Sequence, residues 1–461
     1  MSRDVFQKVM KFGGTSMGSA ASIRDGVVPA IQKAVAIGQF PVVVVSAMSG
    51  ITSLLLESTQ KAQEGKLARA QGLIKEIEHK HLELIADLFL EKLMRNQQIS
   101  FLNQELETLR KILKTIFLTG ELSTRMQDAV LAIGENISAR ILSNLLIKNA
   151  CPAIYLNLEK IISKRISIES PSYWTKIEKA FSIRLAKVPQ GFVPILPGFF
   201  GAITNGILNS VGRGYSDFCA SLVGVAIRAH EIENWTDVDG ILTAHPSIVP
   251  KAKILSRISF DEMAELARFG AKVLHPFSVA PASLANIPIR MKNTFNHTAY
   301  GTLISSDSYY SKLVFKSIAY KKGITIIRIT TPKMLMAYGF MAKLSNLFAE
   351  HKISIDLIAT SEVSVSLSVD EPLIRLKSLL RNLKKLGEVD VQNDQAILSI
   401  VGVELRKSPA VCGEILRVLA KNKISINMIS MGNALINLSL VLHAEKAEKA
   451  IQVLHQDFIN F

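Results

Sequence analysis

The chain has 461 residues, 48% hydrophobic and 20% charged, with a formal net charge of +15; this predicts a soluble globular protein of two to three domains and excludes a disordered or fibrous chain. Cys151, Cys219 and Cys412 are far apart with no CxxC spacing, which argues against a disulfide framework or zinc site, and basic residues spread without an aromatic–basic motif indicate a solvated surface and no nucleic-acid partner. Apolar runs such as Pro41–Val45 and Ile353–Ile358 are too short to span a bilayer, and charges interrupt Met1–Lys11 where a signal peptide needs an apolar core, so the expected location is the cytoplasm, with no membrane partner.

In chain order, Val9–Phe12 reads as a strand running into a Gly-Gly turn. Ser19 then caps a helix through Ile31 and Val35 that ends near Gly38. The β-branched run Pro41–Val45 predicts a buried strand, followed by the small-residue loop Ser46–Gly50 and a helix from Thr52. This is α/β logic, with functional loops at the carboxyl ends of strands. Lys61–Phe117 is charged, free of proline and helix-favouring, and reads as a helical excursion. His79 and His81 within it lie on different helix faces, which predicts solvated side chains and no metal site. A second βα-rich stretch runs from Ala150 to about Ile304, and the polar segment near Ser305–Ser311 marks a domain boundary.

Beyond that boundary lies an internal repeat. Leu347–Ile358 matches Val418–Ile429 at an offset of 71 positions, from Lys352 to Lys423. Each copy reads as an amphipathic helix, a tight turn and a strand, with a further strand after it (Val363–Val369; Leu435–Leu442). Two ferredoxin-like βαββαβ modules account for this. The expected domains are 1–305, 315–390 and 391–461, with a strand ahead of the first module available to the second.

Four loops carry chemistry. Lys11-Phe12-Gly13-Gly14-Thr15-Ser16 follows a strand, and its glycines let backbone N–H groups approach phosphate oxygens beside a lysine, although it is not a Walker A loop. In Gly212-Arg213-Gly214-Tyr215-Ser216-Asp217, Arg213 can clamp a carboxylate and Asp217 can orient a lysine. Trp235-Thr236-Asp237-Val238-Asp239-Gly240 is the third loop. Phe269-Gly270-Ala271-Lys272-Val273-Leu274-His275-Pro276 is the fourth, with Lys272 in an apolar setting that calls for an anionic partner.

In this order the four loops, with Ser46…Gly50-Ile51-Thr52, resemble the aspartate kinases of the amino-acid kinase fold. The resemblance covers essentially the whole chain. The repeat resembles that family's paired ACT domains, especially at Thr360-Ser361-Glu362-Val363, and the pattern is similar to the lysine-sensitive type. The chain ends after the second module, so a monofunctional enzyme without a homoserine dehydrogenase domain is expected. The resemblance implies an α/β three-layer catalytic sandwich followed by two ACT modules.

It also implies roles. Lys11 contacts the transferring phosphoryl group and Asp217 holds Lys11 in place. Phe12, Gly13, Gly14, Thr236, Asp237, Leu242, Lys272 and Val273 line the ATP site, with Mg²⁺ held mainly by the nucleotide phosphates and no dedicated metal ligands. Ser46, Thr52, Glu135, Phe199, Arg213 and Ser216 surround L-aspartate. Glu135 is selected by Arg125-x-x-Asp128 followed by Gly134-Glu135, while Gly120-Glu121 upstream reads as helix surface. The β-carboxylate of aspartate, with a pKa of about 3.9, needs no general base, and what the reaction needs is cationic stabilisation of phosphoryl transfer between anions. The chain departs from the family pattern at four places, one of them Tyr215 in place of a frequent glycine. Asp239 stands where proline is usual, Leu242 where tyrosine is common, and His245-Pro246-Ser247 where Asp-Pro-Arg is common, which predicts altered nucleotide binding.

In the first module Asp356 and Glu362 are acids, whereas the equivalent residues of the second are Asn427 and Asn433. A cationic amino acid needs buried acids, and Gly339-Phe340 opens a helix whose N–H groups can take a carboxylate. With Met334, Thr360 and Ser361, this predicts L-lysine as effector of the first module, and the resemblance implies that it binds at an interface between paired modules, in a homo-oligomer. Met336 and Ala337 stand where lysine-sensitive relatives are often polar. Alternatives of other kinds are a glutamate or acetylglutamate kinase, a catalytically silent amino-acid sensor, and an ACT-containing nucleic-acid regulator. The last lacks any helix-turn-helix before the repeat.

Overall fold

The computed structural model describes residues 6–459 apart from 159–165, 169, 171, 200–202, 213, 270–273, 275, 307–312, 314, 336–337, 407–409 and 433–435, and apart from the side chains of 276–279 and 406. The chain forms two compact units, Met1–Ile241 with Val273–Ser306, and Leu242–Lys272 with Asp307–Phe461. Up to residue 241 the elements are β1 (Phe6–Phe12), α1 (Val28–Ala36), β2 (Phe40–Val45), α2 (Ile51–Gln63), α3 (Leu67–Leu88), α4 (Lys92–Thr119), α5 (Thr124–Lys148), β3 (Ala153–Tyr155), α6 (Tyr173–Leu185), β4 (Val193–Pro197), α7 (Ile207–Ser210), α8 (Tyr215–Ile227) and β5 (Glu231–Thr236). There follow β6 (Arg257–Ser259) and α9 (Phe260–Arg268) of the second unit, then α10 (Pro276–Leu284), β7 (Ile289–Asn293) and β8 (Thr302–Ser305) of the first. The remaining elements are β9 (Ser317–Thr330), α11 (Phe340–Glu350), β10 (Leu357–Thr360), β11 (Ser364–Val369), α12 (Leu373–Leu383), β12 (Glu388–Val401), α13 (Ala410–Lys421), β13 (Met428–Met431), β14 (Asn437–His443) and α14 (Ala444–Phe458).

In the first unit the strands run in the order β3-β4-β2-β1-β5-β7-β8, parallel except for β8 against β7. A parallel sheet covered on both faces has no solvent side, so its central strands are apolar throughout: β2 is buried from Pro41 to Val45 and β4 at every position. β1 lies between β2 and β5. The chain passes from β1 to β2 on one side, whereas it crosses from β4 through α8 to β5 on the other, so the strand order reverses at β1, and the carboxyl end of such a switch strand is the usual ligand position in open α/β sheets.

Ser19 Oγ accepts from Ser22 N at 3.1 Å and caps the helical run leading into α1, which opens with a π-helical turn at Ser22–Val27. α5 is apolar and long enough to cross a membrane, but 83% of its apolar window is buried, so it is a core helix. α3 and α4 pack through Ile74, Ile77, Leu84, Leu102, Leu106 and Leu109 in the same core. One expectation fails here. His79 is exposed, but His81 is buried on the apolar face of α3 with Nδ1 2.7 Å from the Ile77 carbonyl oxygen, because Ile77, Leu84 and Leu88 share its face. Gly120-Glu121 is a helix stop and not helix surface, since Gly120 closes α4 in the left-handed conformation at φ 69°.

The second unit is built on an antiparallel sheet in the order β10-β11-β9-β12-β14-β13. Its two long strands bend where Gly323 and Asp394 take positive φ (78° and 54°), and these bends divide the sheet into two halves. Beyond the bends, Ile324–Thr330 and Glu388–Gln392 join β10, β11, α11 and α12. The opening stretch of β9, Ser317–Lys322, pairs with Ala396–Val401 alongside β14. Each half is a βαββαβ arrangement. Lys352 and Lys423, equivalent in the repeat, both take positive φ (55° and 56°) in the tight turn after the helix.

Residues 242–272 cluster with this second unit. α9 is tied to the sheet along one face. Glu262 accepts from Lys316 Nζ (2.8 Å), Val403 N (2.9 Å) and Ser259 N (2.8 Å); Glu265 accepts from Asn437 Nδ2 (2.7 Å); Arg268 Nη2 donates to the Asp356 carbonyl oxygen (2.8 Å).

Candidate active site

Lys11 is the penultimate residue of β1 and only 6% exposed. A buried ammonium needs an anion, and Asp217, in the first turn of α8, supplies one at 2.5 Å. The same Asp217 oxygen accepts from Asn234 Nδ2 at 3.2 Å, so β1, β5 and α8 converge on this carboxylate. Beyond Lys11 the chain turns sharply. Gly13 N donates to the Trp235 carbonyl oxygen (3.1 Å) and Met17 N to that of Gly13 (3.1 Å). A Cβ on Gly14 would lie 3.2 Å from the Ala47 carbonyl oxygen, and one on Gly13 would lie 3.6 Å from Lys11 Nζ. The loop therefore keeps backbone and lysine within reach of an anion, with no side chain in the way, and suits a nucleotide phosphate.

A second cluster adjoins the first. Ser46 Oγ and Ser216 Oγ are 2.9 Å apart. Glu135 on α5 is 1% exposed, accepts from the Ala47 N–H, and has Oε2 buried without a hydrogen-bond partner. Burial holds its carboxyl well above the usual carboxylate range, against the opposing pull of Lys11 and the Ala47 N–H. Gly198 sits between these groups. A Cβ there would fall 2.4 Å from Ser216 Cβ and 3.1 Å from Glu135 Oε2. Phe199 is buried, its ring edge-on to Tyr215 at 5.4 Å. Asp128 is buried and takes the Ile207 N–H at 3.1 Å. Thr52 is half-buried in the first turn of α2.

The sequence-predicted residues thus fall into groups. Lys11 with Asp217, and Ser46, Ser216 and Glu135 around Gly198, come together. Phe12 and Trp235 stack at 5.7 Å beneath the glycine turn. Thr236 ends β5 and Asp237 follows it, with Thr236 Oγ1 donating to Asp237 at 3.1 Å. Leu242 lies in the second unit, bridged to Ile254. Arg213, Lys272 and Val273 lie outside the described residues. Sequence reasoning missed Asn234 and Gly198, whose importance comes from neighbours distant in the chain.

The predicted effector residues belong to the second unit. Gly339 caps α11 with φ 81°, Phe340 begins it, and Met334 is half-buried just upstream. Asp356 is half-buried; its carboxylate lies 3.5 Å from Lys321 Nζ, and burial raises its pKa while Lys321 pulls it down. Glu362 is exposed in the single chain, as are Thr360 and Ser361 on this strand-edge turn, so its burial would require a second surface at the expected module interface. Asn427, the counterpart of Asp356, is committed to Gln395 (2.7 Å), while Asn433, Met336 and Ala337 lie outside the described residues.

Comparison with known proteins agrees with this architecture. Residues 7–293 match the amino acid kinase family and residues 398–458 the ACT domain. The chain is 33% identical to the aspartokinase of Saccharomyces cerevisiae over 98% of its own length and 92% of the relative's. It is 34% identical to the chloroplastic aspartokinase 3 of Arabidopsis thaliana, over 98% and 81%. The crystal structure of E. coli aspartokinase III with aspartate and ADP is similar at 28% identity and a TM-score of 0.80, covering 98% of this chain and 100% of that one. The same enzyme with lysine and aspartate also matches with a TM-score of 0.80. The chain belongs to the aspartokinase family, ATP-dependent kinases of the amino acid kinase fold with a C-terminal ACT region.

Proposed function

We propose that the enzyme transfers the γ-phosphoryl group of ATP to the β-carboxylate of L-aspartate, giving 4-phospho-L-aspartate and ADP. A β-carboxylate oxygen attacks Pγ as the bond from Pγ to the bridging oxygen of ADP breaks. The acceptor is already ionised, so no proton moves. One arrangement carries this reading: a lysine fixed by Asp217 at the switch point, beside a buried glutamate with an open oxygen. Lys11 offers its ammonium to the transferring phosphoryl group. Glu135 accepts from the substrate ammonium through Oε2, and Ser46 and Ser216 offer hydroxyls to its carboxylates. Arg213 is assigned to the same substrate. Phe12, Gly13, Gly14, Thr236, Asp237, Leu242, Lys272 and Val273 are assigned to the nucleotide.

Asp217 is engaged by Lys11 and Asn234, so Mg²⁺ would be carried on the nucleotide phosphates, where it neutralises charge when bound. ATP-dependent acyl phosphate formation, measured by coupled ADP release with aspartate and with glutamate, tests the acceptor. Turnover with glutamate equal to that with aspartate would remove the assignment.

For regulation we propose L-lysine as an inhibitor bound at the first ACT module by Met334, Gly339, Phe340, Asp356, Thr360, Ser361 and Glu362, at a contact between two copies of the chain. The half-buried Asp356 supports this, as does its exchange for asparagine in the second module. E. coli aspartokinase III has been crystallised with lysine. The product would feed lysine and diaminopimelate, threonine and methionine synthesis in the cytoplasm. Inhibition of the Asp356→Asn enzyme by lysine as strong as that of the parent would remove the effector assignment.

A further inference from the structure

The loop after β5 is pinned at its ends and its middle to one short stretch of chain. The Thr236 carbonyl oxygen accepts from Thr294 N at 2.8 Å, and Ile241 N donates to Thr302 Oγ1 at 2.8 Å. Between them, Asp239 Oδ1 accepts from the side-chain amides of Asn293 (2.8 Å) and Asn296 (3.0 Å). Both asparagines are themselves oriented: Asn293 Oδ1 takes the Phe295 N–H (2.8 Å) and Asn296 Oδ1 the Thr298 hydroxyl (2.6 Å). Each amide thus presents its donor end to the aspartate, and the pair forms a preset fork for one carboxylate oxygen.

The same stretch also holds the glycine turn. Ser16 Oγ donates to the Trp235 carbonyl oxygen (3.2 Å), so its 2.7 Å contact with Thr294 Oγ1 is a bond donated by Thr294. Thr294 is seated tightly, because a Cβ on Gly26 would meet its Cγ2 at 2.6 Å. Asn293–Thr302 therefore fixes two loops at the carboxyl end of the sheet, one bearing Lys11 to Gly14 and the other Thr236 and Asp237.

We propose that Asp239 is a positioning residue for nucleotide binding. Clamped by Asn293 and Asn296, it sets the course of the 236–241 loop and keeps it in register with the glycine turn. The inference rests on the reading of Thr236 and Asp237 as nucleotide-lining residues. The fork selects an acceptor, which asparagine can still present through its carbonyl oxygen and alanine cannot.

The test is calorimetric ADP binding to the full-length enzyme and to its Asp239→Ala, Asp239→Asn and Asp237→Ala variants, with the KM for aspartate measured alongside. Asp239→Ala is expected to weaken ADP binding by about tenfold, the worth of hydrogen bonds to a charged group, while the aspartate KM moves by less than about twofold. Asp239→Asn is expected to recover to within about threefold of the parent. Unchanged ADP affinity in Asp239→Ala, beside weakened affinity in Asp237→Ala, would overturn the clamp and leave the nucleotide reading intact. Unchanged affinity in both would overturn the nucleotide role of the loop and the clamp with it. Equal losses in ADP and aspartate binding would mark a merely structural residue and also overturn the proposal.

Discussion

Lys11 Nζ and Asp217 Oδ1 form an ion pair, 2.5 Å long, across the carboxyl end of the central strand, with both side chains largely buried. The pair holds the ammonium at the switch point of the sheet before any substrate arrives, which is what stabilisation of a developing negative charge requires. Lys11→Met is expected to lower kcat by about a thousandfold or more, with a much smaller effect on the KM for aspartate. Asp217→Asn keeps a hydrogen-bond acceptor but loses the charge, and a smaller fall in kcat is expected. Steady-state kinetics of the two variants at saturating ATP check this ordering.

The assignment of the substrate ammonium to Glu135 predicts a pH dependence. The Glu135 carboxyl is raised by burial, and under the proposed assignment it has to be ionised to receive the substrate ammonium. The KM for aspartate is therefore expected to rise as pH falls through the raised value. In the ligand-free enzyme, the stability contributed by the neutral carboxyl is full below the unfolded carboxylate range and is lost as pH rises through the folded value. Added aspartate should oppose that loss. Glu135→Gln should flatten the pH profile of the KM, read from initial rates across the acidic to neutral range.

Gly198 leaves no room for a side chain between Ser216 and Glu135. Gly198→Ala places a methyl 2.4 Å from Ser216 Cβ, so one of the two must move. The expected result is a rise of about tenfold or more in the aspartate KM, with ADP affinity held within about twofold, since misplacement by about 1 Å is costly at a reacting centre. Equilibrium binding of each ligand separates the two effects.

In the second unit, Glu262 and Lys316 form a buried pair at 2.8 Å, with Glu262 also taking the Val403 N–H. Lys316→Met leaves that carboxylate without its cation. Breaking such a pair costs about 3–5 kcal/mol. Amide exchange in α9 and at the start of β9 should speed up by about two orders of magnitude or more, measured by hydrogen–deuterium exchange.

Arg268 closes α9 with a bond to the Asp356 carbonyl oxygen, and Lys272 follows four positions later in the chain. Under the proposed assignment of lysine to Asp356, the Arg268 bond is expected to transmit the effector's presence to α9. Arg268→Met should then bind lysine as the parent does yet be inhibited less. Lysine calorimetry and inhibition curves on the same preparation check it.

Much of the fold is legible where local chemistry and burial agree. Pro41–Val45 is β-branched because both its faces are covered, and Lys352 and Lys423 mark equivalent turns because the repeat preserves the whole helix–turn–strand sequence. His81 shows how the choice of neighbours matters. Its spacing to His79 is uninformative, while Ile77, Leu84 and Leu88 carry the signal of a buried face. Asn234 and Gly198 were not legible, since their partners Asp217, Ser216 and Glu135 come from other elements. Asp239 stands out in sequence as a departure from the family pattern, but its role depends on two asparagines more than fifty residues away. Glu362 reads as a buried acid only if a second surface covers it, and strand-edge chemistry alone does not supply one.

The central claim is most directly tested by trapping the product. Purified enzyme is incubated with ATP, Mg²⁺ and L-aspartate in the presence of hydroxylamine, and aspartyl hydroxamate is measured for the parent and for Lys11→Met. The account predicts hydroxamate that requires both ATP and aspartate and nearly disappears in the variant. Folded parent enzyme that forms no hydroxamate, or a Lys11→Met enzyme as active as the parent, would contradict it.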